Sequence, residues 1–416
     1  MMTPRSGTLL NGGSHSVVLQ QDQPMRVLLV HNRYRFAGGE DVVVHAEKVM
    51  LEKHRHEVAL VKADNSEISG VLKTISIGFK AVHSRAAEKR IAAELAHFRP
   101  NILHIHNFFP LFSPSIYYAG RQAGVAVVQT LHNYRLLCPN GMFFRQGCPC
   151  EACMEKAIPL PGVFHACYRD SRAATASIST MIALHRALGT WKTMVDAYIT
   201  LTEFSREKFI RGGLPADRLY VKPNFVQTAS STGRGDGGFV AFIGRLSEEK
   251  GIRTLLGAWR KLSRKLPVKI AGDGPLRKEV EAMAQSMQEV ELLGHLTRDE
   301  VAELLRRAHA VIVPSIWYEG FPMVVAEAFA AGVPVIASNL GALGELVHHG
   351  RTGLHYRPGD AEDLAAQVEW LISHEQERQQ MRRAARSEFE LRYTADRNYE
   401  MLLAIYERAR QQRQSR

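Results

Sequence analysis

The chain alternates between short runs of aliphatic and β-branched residues and longer helical stretches, and this alternation is the strongest constraint on its fold. The runs include Arg26–His31, Ile102–His106, Val125–Leu131, Phe239–Ile243 and Ala310–Val313. Continuous apolar runs of this length, separated by helices, are typical of parallel strands that are covered on both faces. The sequence therefore predicts an α/β fold built from doubly wound, Rossmann-like sheets.

The length of 416 residues is enough for two or three domains. Residues 227–238 are rich in Ser, Gly and Thr, and we predict that they link the domains. Residues 25–226 then form an N-terminal domain and residues 239–394 a C-terminal domain, with the ligand expected in the cleft between them. Residues 1–24 are polar and lack the apolar centre of a signal peptide, so they predict a disordered tail. Residues 395–416 predict an amphipathic helix.

The net charge predicts an anionic partner. Lys and Arg number 53 against 42 Asp and Glu, which gives +11. Such an excess favours a phosphorylated small molecule, a nucleic acid or an acidic lipid surface. Nucleic acid is not expected, because the basic residues are not interleaved with aromatic ones. No segment approaches the roughly 20 apolar residues that span a membrane, so the expected location is the cytoplasm.

The segment Pro314–Pro334 predicts an anion site. An apolar strand precedes it, Pro322 suits the first position of a helix, and Gly332 ends that helix. The N-terminus of a helix carries about half a positive charge and several free N–H groups, so it is a natural seat for a diphosphate. Glu319 lies just before the helix, and Glu327 follows about one and a half turns inside it. The alternative is that Glu319 is an ordinary loop acid and that Glu327 faces solvent.

A glycine-containing turn follows the first strand of each half. Gly38 and Gly39 allow the backbone to approach a ligand closely. They do not form a G-x-G-x-x-G pattern, so a redox dinucleotide site is not supported. The turn Gly244–Gly251, GRLSEEKG, carries Arg245 and Lys250 at the carboxyl end of its strand. Two cations there can neutralise a diphosphate, although each alone would also fit an ordinary surface.

Polar residues also follow two strands of the first half. His106 and Asn107 end one strand, and His132 and Asn133 end another. In open parallel sheets ligands bind beyond the carboxyl ends of the strands. The matching positions favour a functional role for the histidines, and a structural capping role is the alternative.

The cysteines are confined to one loop. Cys150 and Cys153 form a C-x-x-C pair, Cys138 and Cys167 can complete four thiolate ligands, and Cys148 is spare. A tetrahedral zinc ion held by four thiolates would stabilise a loop that is too long to order itself. The alternatives are reduced thiols, or a redox C-x-x-C, which usually opens a thioredoxin-like helix and does not do so here.

Four features together resemble the family 4 retaining glycosyltransferases, which have the GT-B fold. They are GRLSEEKG, the AGDGP turn at 271–275, the Glu319–Glu327 pair with GFP between its members, and the Gly38–Gly39 loop. The similarity extends from about Arg26 to Arg410, and TLHNYRLLCPNG with the cysteine-rich loop resembles a bacterial polysaccharide-type branch. The resemblance implies two Rossmann-like domains that face each other across a cleft, with a C-terminal helix crossing back to the N-terminal domain.

The resemblance also implies roles for particular residues. Arg245 and Lys250 would hold the diphosphate of a nucleotide-sugar donor, Glu327 the ribose, and Glu319 and His132 the sugar. The catalytic set is therefore predicted to be Glu319, His132, Arg245 and Lys250, with His106 and Asn133 as weaker candidates for the cleft wall. The other residues predicted to bind substrate are Gly38, Gly39, Gly272, Asp273, Gly274, Gly320, Phe321, Pro322 and Met323.

The implied activity is metal-independent transfer of a sugar, with retention, to a glycan or lipid-linked glycan in cell-surface polysaccharide synthesis. No D-x-D motif stands in a plausible site, and no catalytic cofactor is expected. Contact with an anionic membrane at its inner face is a further expectation from the basic charge. The alternatives are a sugar-nucleotide epimerase of the same fold and a non-catalytic sugar-nucleotide-binding protein. A pyridoxal phosphorylase would need a recognisable Schiff-base lysine, and none is found.

Overall fold

The structure is a computed structural model that describes residues 24–33, 39–64, 81–227 and 231–416. Apart from Pro24, the predicted N-terminal tail lies outside the described residues, and so does Gly38. The described ranges form two parallel sheets of six strands each, with helices on both faces. The predicted α/β class, with two doubly wound sheets, is confirmed.

The first sheet has the strand order β2-β1-β3-β4-β7-β8. Its strands β3 and β4 are buried at every residue, as expected for the centre of a sheet that is covered on both faces. A separate antiparallel pair, β5-β6, lies in the cysteine-rich loop. The strands are β1 Arg26–Arg33, β2 Glu57–Asp64, β3 Ile102–Asn107, β4 Ala126–Leu131, β5 Phe144–Arg145, β6 Cys148–Pro149, β7 Ala197–Thr200 and β8 Leu219–Val221.

The second sheet has the order β11-β10-β9-β12-β13-β14. The chain reverses its direction of winding between β9 and β12, and in the first sheet it does so between β1 and β3. Ligands of open α/β sheets bind in the crevice at such a switch point. The strands are β9 Val240–Ile243, β10 Val268–Ala271, β11 Val290–Gly294, β12 Val311–Val313, β13 Val335–Ser338 and β14 Gly353–Tyr356.

Helices connect the strands and cover the sheets. In the first half they are α1 Gly39–Lys53, α2 Arg85–Phe98, α3 Ser115–Gln122, α4 Leu160–Phe164, α5 Arg172–Ala187, α6 Thr190–Thr193 and α7 Glu203–Arg211. In the second half they are α8 Ile252–Trp259, α9 Arg277–Ala284, α10 Arg298–Arg307, α11 Met323–Ala330, α12 Ala342–Leu346, α13 Ala361–Ser373, α14 Glu375–Arg392 and α15 Ala395–Gln414. Across the described ranges, no helix combines the length and the apolar character that crossing a bilayer requires.

The last helix packs against the sheet of the first half. Thr394 caps α15 by accepting the N–H of Arg397. Leu402 and Tyr406 of α15 are buried in the same apolar cluster as Val27 of β1 and Val128 of β4. The N-terminal domain is therefore completed by the C-terminal end of the chain.

The predicted linker is bound to the C-terminal domain over the part that is described. Gly233 N–H donates to the carbonyl of Ala331 at 2.9 Å, and Gly235 N–H donates to the carbonyl of Arg306 at 3.0 Å. A Cβ atom on Gly233 would lie 2.1 Å from that Arg306 oxygen. The glycines of residues 231–238 thus permit close contact between the linker backbone and the C-terminal domain. Residues 228–230 lie outside the described ranges.

Candidate functional site

The loops after β9 and β12 are joined by their backbones at the switch point. Ile316 N–H donates to the carbonyl of Glu249 at 2.9 Å. Gly251 has a φ of +70°, and a Cβ there would lie 1.8 Å from the carbonyl oxygen of Pro314. Only glycine fits this contact without displacing backbone. The contact fixes the position of Lys250, which comes just before it, against the loop that carries Glu319.

Lys250 and Glu319 form an ion pair at this point. Lys250 Nζ lies 2.8 Å from Oε1 and 3.1 Å from Oε2 of Glu319, and Ser315 Oγ donates to Oε1 at 2.6 Å. Glu319 is only 3% exposed. An ammonium group has three donors and a carboxylate has about four acceptor sites, so the pair keeps roughly one N–H and one lone pair unused. The site can thus still bind both an acceptor, such as a phosphate oxygen, and a donor, such as a sugar hydroxyl.

Arg245 extends from the same loop into solvent. Its side chain is exposed and makes no hydrogen bond or ion pair to the described residues. The backbone beneath it is set by the AGDGP turn, in which Gly272 has a φ of +139° and a Cβ would lie 1.9 Å from the carbonyl oxygen of Gly244. A Cβ on Gly274 would lie 2.3 Å from the carbonyl oxygen of Leu246. These glycines shape the loop that carries Arg245, and their contact with substrate stays a prediction.

Asp273, from the same turn, is engaged with its neighbours. Its Oδ1 accepts the N–H of Gly274 at 2.7 Å and its Oδ2 accepts from Arg277 at 3.1 Å. These contacts hold the pKa of Asp273 below its ordinary value. A role for Asp273 in substrate binding also stays a prediction.

Helix α11 begins one residue later than predicted. Pro322 has an extended conformation, with φ −72° and ψ 107°, and it precedes the helix as its N-cap. Its carbonyl accepts the N–H of Val325, so it closes the first turn without being part of it. The N–H groups of Met323 and Val324, which precede that hydrogen bond, have no acceptor within the helix. Gly332, with φ +67°, follows the C-cap and ends the helix as predicted.

The two domains meet at the start of α11. A Cβ on Gly320 would lie 2.8 Å from the carbonyl oxygen of His132, and one on Gly39 would lie 3.7 Å from Cγ of Met323. Tyr134 OH lies 3.5 Å from the backbone oxygen of Glu319. The predicted residues of the N-terminal domain, His132 and Gly39, therefore do lie beside the loop of the C-terminal domain that carries Glu319.

Glu345 provides a second contact between the domains that the sequence did not reveal. Its carboxylate accepts the backbone N–H groups of Glu203 at 2.9 Å and Phe204 at 2.8 Å, at the start of α7. A carboxylate at a helix N-terminus satisfies free N–H groups and interacts favourably with the helix dipole. Helices α12 and α7, from opposite domains, are thereby held together.

Glu327 is half-buried within α11. Burial raises the pKa of its carboxyl, and the nearby Arg298 guanidinium opposes that rise. No hydrogen bond of Glu327 to the described residues is recorded, so its oxygens are free to accept hydroxyl groups. Arg298 lies at the start of α10, and its proximity to Glu327 was not predictable from local sequence patterns.

His106 lies behind His132 and lines a small cavity with it, and its role in the cleft wall stays a prediction. Its Nδ1 is 3.0 Å from Nε2 of His132, and the side chain is 2% exposed because β3 is a central strand. Asn133 donates to Glu40 Oε1 at 3.3 Å. Burial raises the pKa of Glu40 to about 7, although the hydrogen bond from Asn133 opposes this. Glu40 was overlooked in the sequence because it resembles an ordinary first-turn acid of α1.

The cysteine-rich loop contains free thiols only. The four predicted ligands, Cys138, Cys150, Cys153 and Cys167, line one cavity, and Cys148 is exposed away from it. Burial raises the pKa of Cys153 to about 12, and the other three thiols add to the rise. Within the described ranges, the potential metal-ligating atoms that lie within 4.8 Å of one another in a group of three belong to Glu47, His104 and His106, not to the cysteines.

Two family models match successive parts of the chain. The family described as Glycosyltransferase Family 4 matches residues 37–230, and the family described as Glycosyl transferases group 1 matches residues 227–388. Together they span nearly the same part of the chain as the motifs in the sequence. The boundary between the two matches falls at the segment that joins the two sheets.

Curated relatives match mainly over part of the chain. A glycogen synthase of Mycobacterium tuberculosis is 34% identical over 212 residues, which is 49% of this chain and 49% of the relative. A sulfoquinovosyl transferase of Arabidopsis thaliana is 26% identical over 321 residues, 74% of this chain and 56% of the relative. The chain thus spans about half the length of the curated relatives it matches.

Solved structures resemble the chain over nearly its whole length. The Anabaena protein HepE, in complex with UDP and glucose, has a TM-score of 0.64 at 18% identity, over 91% of this chain and 98% of its own. Sucrose-phosphate synthase from Thermosynechococcus elongatus has a TM-score of 0.68 at 17% identity, over 92% and 98%. At such identities the similarity establishes the fold, and the predicted GT-B arrangement of two Rossmann-like domains is confirmed.

Proposed function

Because the chain belongs to glycosyltransferase family 4 and has the GT-B fold, we propose that it transfers a sugar from a nucleotide-diphosphate donor with retention of configuration and without a catalytic metal. The proposed acceptor is a glycan or lipid-linked glycan in cell-surface polysaccharide synthesis. Contact with an anionic membrane is part of the same proposal. The net charge of +11 supports it, and so do the exposed side chains of Ile158, Leu160 and Phe164.

The observation that carries the proposal is the Lys250–Glu319 pair at the switch point between β9 and β12. Lys250 contacts the loop that leads into α11, and the exposed Arg245 extends from the same loop as Lys250. The free N–H groups and the helix dipole at the start of α11 favour a diphosphate. Departure of that diphosphate builds negative charge on its oxygens. Fixed positive groups stabilise this charge in the transition state without having to reorganise.

The two glutamates bind the sugar and the ribose of the donor in this proposal. Glu319, oriented by Lys250 and Ser315, accepts a hydroxyl of the donor sugar. Glu327 accepts the ribose hydroxyls. The acceptor hydroxyl attacks on the face from which the diphosphate leaves, and the leaving phosphate takes its proton. No side chain is required as a covalent nucleophile.

A panel of sugar nucleotides tests the proposed activity. Binding to the folded protein raises its unfolding temperature by mass action, and the members that do so are then assayed for release of nucleoside diphosphate. Release that depends on an added glycan acceptor supports transfer. Isomerisation of the donor sugar without any acceptor would instead identify an epimerase. Binding without turnover would identify a sugar-nucleotide-binding protein.

Replacing Glu327 by glutamine should weaken nucleotide binding while stabilising the fold. Loss of hydrogen bonds to a charged group, worth about 1.5–3 kcal/mol, should weaken binding about 10- to 100-fold. Because burial raises the folded-state pKa above the ordinary 4.5, the ionised carboxylate destabilises the fold at neutral pH. Glu327→Gln should therefore raise Tm at neutral pH, and this gain should vanish as the pH falls below 4.5.

Glu303 supplies the matched control for this variant, since it is an exposed acid paired with Arg306 on α10. Glu303→Gln should change neither binding nor the pH dependence of Tm. Equal nucleotide affinity in Glu327→Gln and the wild type would show that Glu327 does not bind the ribose.

We also propose a structural zinc ion in the cysteine-rich loop. Four thiols line one cavity there, and Zn–S bonds of about 2.3 Å would draw them closer together than they lie now. Elemental analysis should find about one zinc per chain, and Cys150→Ser should lose both the metal and stability. Cys148→Ser, which changes a thiol outside the cavity, should retain both. Zinc-free, fully stable wild-type protein would contradict the proposal.

A further inference from the structure

A chain of buried polar groups runs from the cleft into the core of the N-terminal domain. His132 Nε2 lies 3.0 Å from His106 Nδ1, His106 Nε2 lies 3.2 Å from Glu47 Oε1, and Lys222 Nζ lies 3.1 Å from Glu47 Oε2. We call these four residues the histidine relay. His106, Glu47 and Lys222 are each at most 2% exposed, whereas His132 is half-buried at the carboxyl end of β4.

The protonation states within the histidine relay follow from the pair of Glu47 and Lys222 at its buried end. Burial alone would raise the pKa of Glu47, but Lys222 and the neighbouring histidines hold it well below the ordinary value, so the carboxylate is ionised. Burial lowers the pKa of His106 to about 4, and burial with His106 nearby lowers the pKa of His132 as well. Both imidazoles are therefore neutral at neutral pH, with one N–H each.

The hydrogen bonds then fix which nitrogen carries each proton. A carboxylate can only accept, so the proton of His106 is on Nε2, facing Glu47. His106 Nδ1 is consequently an acceptor, and His132 must donate to it from its own Nε2. The remaining nitrogen of His132, Nδ1, carries a lone pair and makes no recorded hydrogen bond within the described part of the chain.

We propose that Glu47 and His106 are positioning residues that hold His132 with an unprotonated Nδ1, so that it accepts a hydrogen bond from a hydroxyl of the donor sugar. This inference rests on the proposed function. It also specifies the partner of His132 as a free hydroxyl group of the sugar. A phosphate would not serve, because it has no hydrogen to donate to an unprotonated nitrogen.

The last helix secures the inner end of the histidine relay. Lys222 Nζ donates to Asn398 Oδ1 at 2.9 Å, and Asn398 Nδ2 donates to the carbonyl of Pro223 at 2.6 Å. Asn398 is fully buried in α15. Helix α15 thus holds Lys222, which keeps Glu47 ionised. Packing of α15 on the N-terminal domain is therefore coupled to the protonation of His132, about 270 residues earlier in the chain.

The group Glu47, His104 and His106 has the spacing of a metal site, but its ligand atoms already have partners. His104 Nε2 lies 2.8 Å from Thr130 Oγ1, and its Nδ1 lies 2.8 Å from Tyr406 OH. Lys222 supplies the positive charge beside Glu47 that a cation would otherwise provide. A second cation there would be repelled, so hydrogen bonding accounts better for this group.

The decisive variant is the double substitution Glu47→Gln with Lys222→Met. The amide of glutamine can donate to His106 Nε2, which favours the reversed set of tautomers and places a proton on Nδ1 of His132. Removing Lys222 at the same time avoids an unpaired buried charge, which would destabilise the fold. With UDP-glucose, or whichever donor the panel selects, kcat/KM should fall about 10- to 100-fold, because His132 Nδ1 can no longer accept the sugar hydroxyl.

His104→Gln is the matched control. His104 contacts the same oxygen of Glu47 at 3.0 Å and is equally buried, but it does not lie between Glu47 and His132. This control variant should lower Tm while kcat/KM stays close to the wild-type value. The proposal would be overturned if the double variant kept the wild-type kcat/KM. It would also be overturned if both variants lost activity only in proportion to their loss of stability.

The tautomer of His132 can also be measured without any substrate. Nitrogen-15 NMR of imidazole-labelled protein, with His132→Ala to assign the signal, should show an unprotonated Nδ1 on His132 in the wild type and a protonated one in the double variant. A protonated Nδ1 in the wild type would overturn the relay even if sugar transfer were observed. The expected NMR result without turnover of any sugar nucleotide would instead leave the relay intact and refute the proposed function.

Discussion

Donor turnover should fall about 100- to 1,000-fold when Lys250 is replaced by methionine. The substitution removes a fixed positive charge beside the departing diphosphate, which matters most when negative charge develops in the transition state. The measurement is release of nucleoside diphosphate from the donor selected by the panel, at saturating donor, so that kcat is separated from KM.

Two further variants separate the loss of this catalytic charge from loss of stability and from the removal of any lysine. Lys250→Met leaves the buried Glu319 without its cation, so Lys250→Met with Glu319→Gln removes the unpaired charge and should unfold near the wild-type temperature. Lys261→Met deletes an exposed lysine that pairs with Glu362, and it should leave turnover unchanged. Wild-type turnover in a folded Lys250 variant would show that the diphosphate binds elsewhere.

Gly251→Ala should strongly destabilise the C-terminal domain. A Cβ there would lie 1.8 Å from the carbonyl oxygen of Pro314, on a backbone with φ +70°. Overpacking and left-handed strain together should cost about 3 kcal/mol or more. Tm should therefore fall by about 6–12 °C, and turnover should fall in the folded fraction because Lys250 is displaced.

Gly359→Ala is the control, because it introduces the same methyl group at a similar φ of +78° with nothing within 4 Å. It should cost only about 1 kcal/mol for the left-handed backbone. Thermal unfolding of the two variants separates backbone strain from steric conflict. Equal losses in Tm would mean that the contact between the β9 and β12 loops is not what requires glycine at 251.

The C-terminal site was largely predictable because its residues follow local patterns. Arg245 and Lys250 come directly after an apolar strand, and Glu319 comes directly before a helix whose ends are marked by Pro322 and Gly332. In a parallel sheet the carboxyl ends of all strands meet at one edge, so short local segments were enough to place these residues together. The ion pair between Lys250 and Glu319, and the solvent exposure of Arg245, required the structure.

The N-terminal half was less predictable, since its polar residues are joined only by packing. Glu47 lies within an ordinary-looking helix, Lys222 follows a short strand, and Asn398 lies in the final helix. Nothing in their local sequence distinguishes them from surface residues. Glu345, which caps a helix of the opposite domain, was hidden for the same reason.

By itself, the sequence determined the α/β class, the two Rossmann-like halves and the cluster of charges beside α11, because apolar periodicity and turn residues act over a few positions. Only the tertiary structure decided which charges are buried and which atoms they contact. Burial in a low-dielectric core depends on elements far apart in the chain, and it is burial that makes Lys222 and Glu47 a pair and gives His132 its proposed proton arrangement.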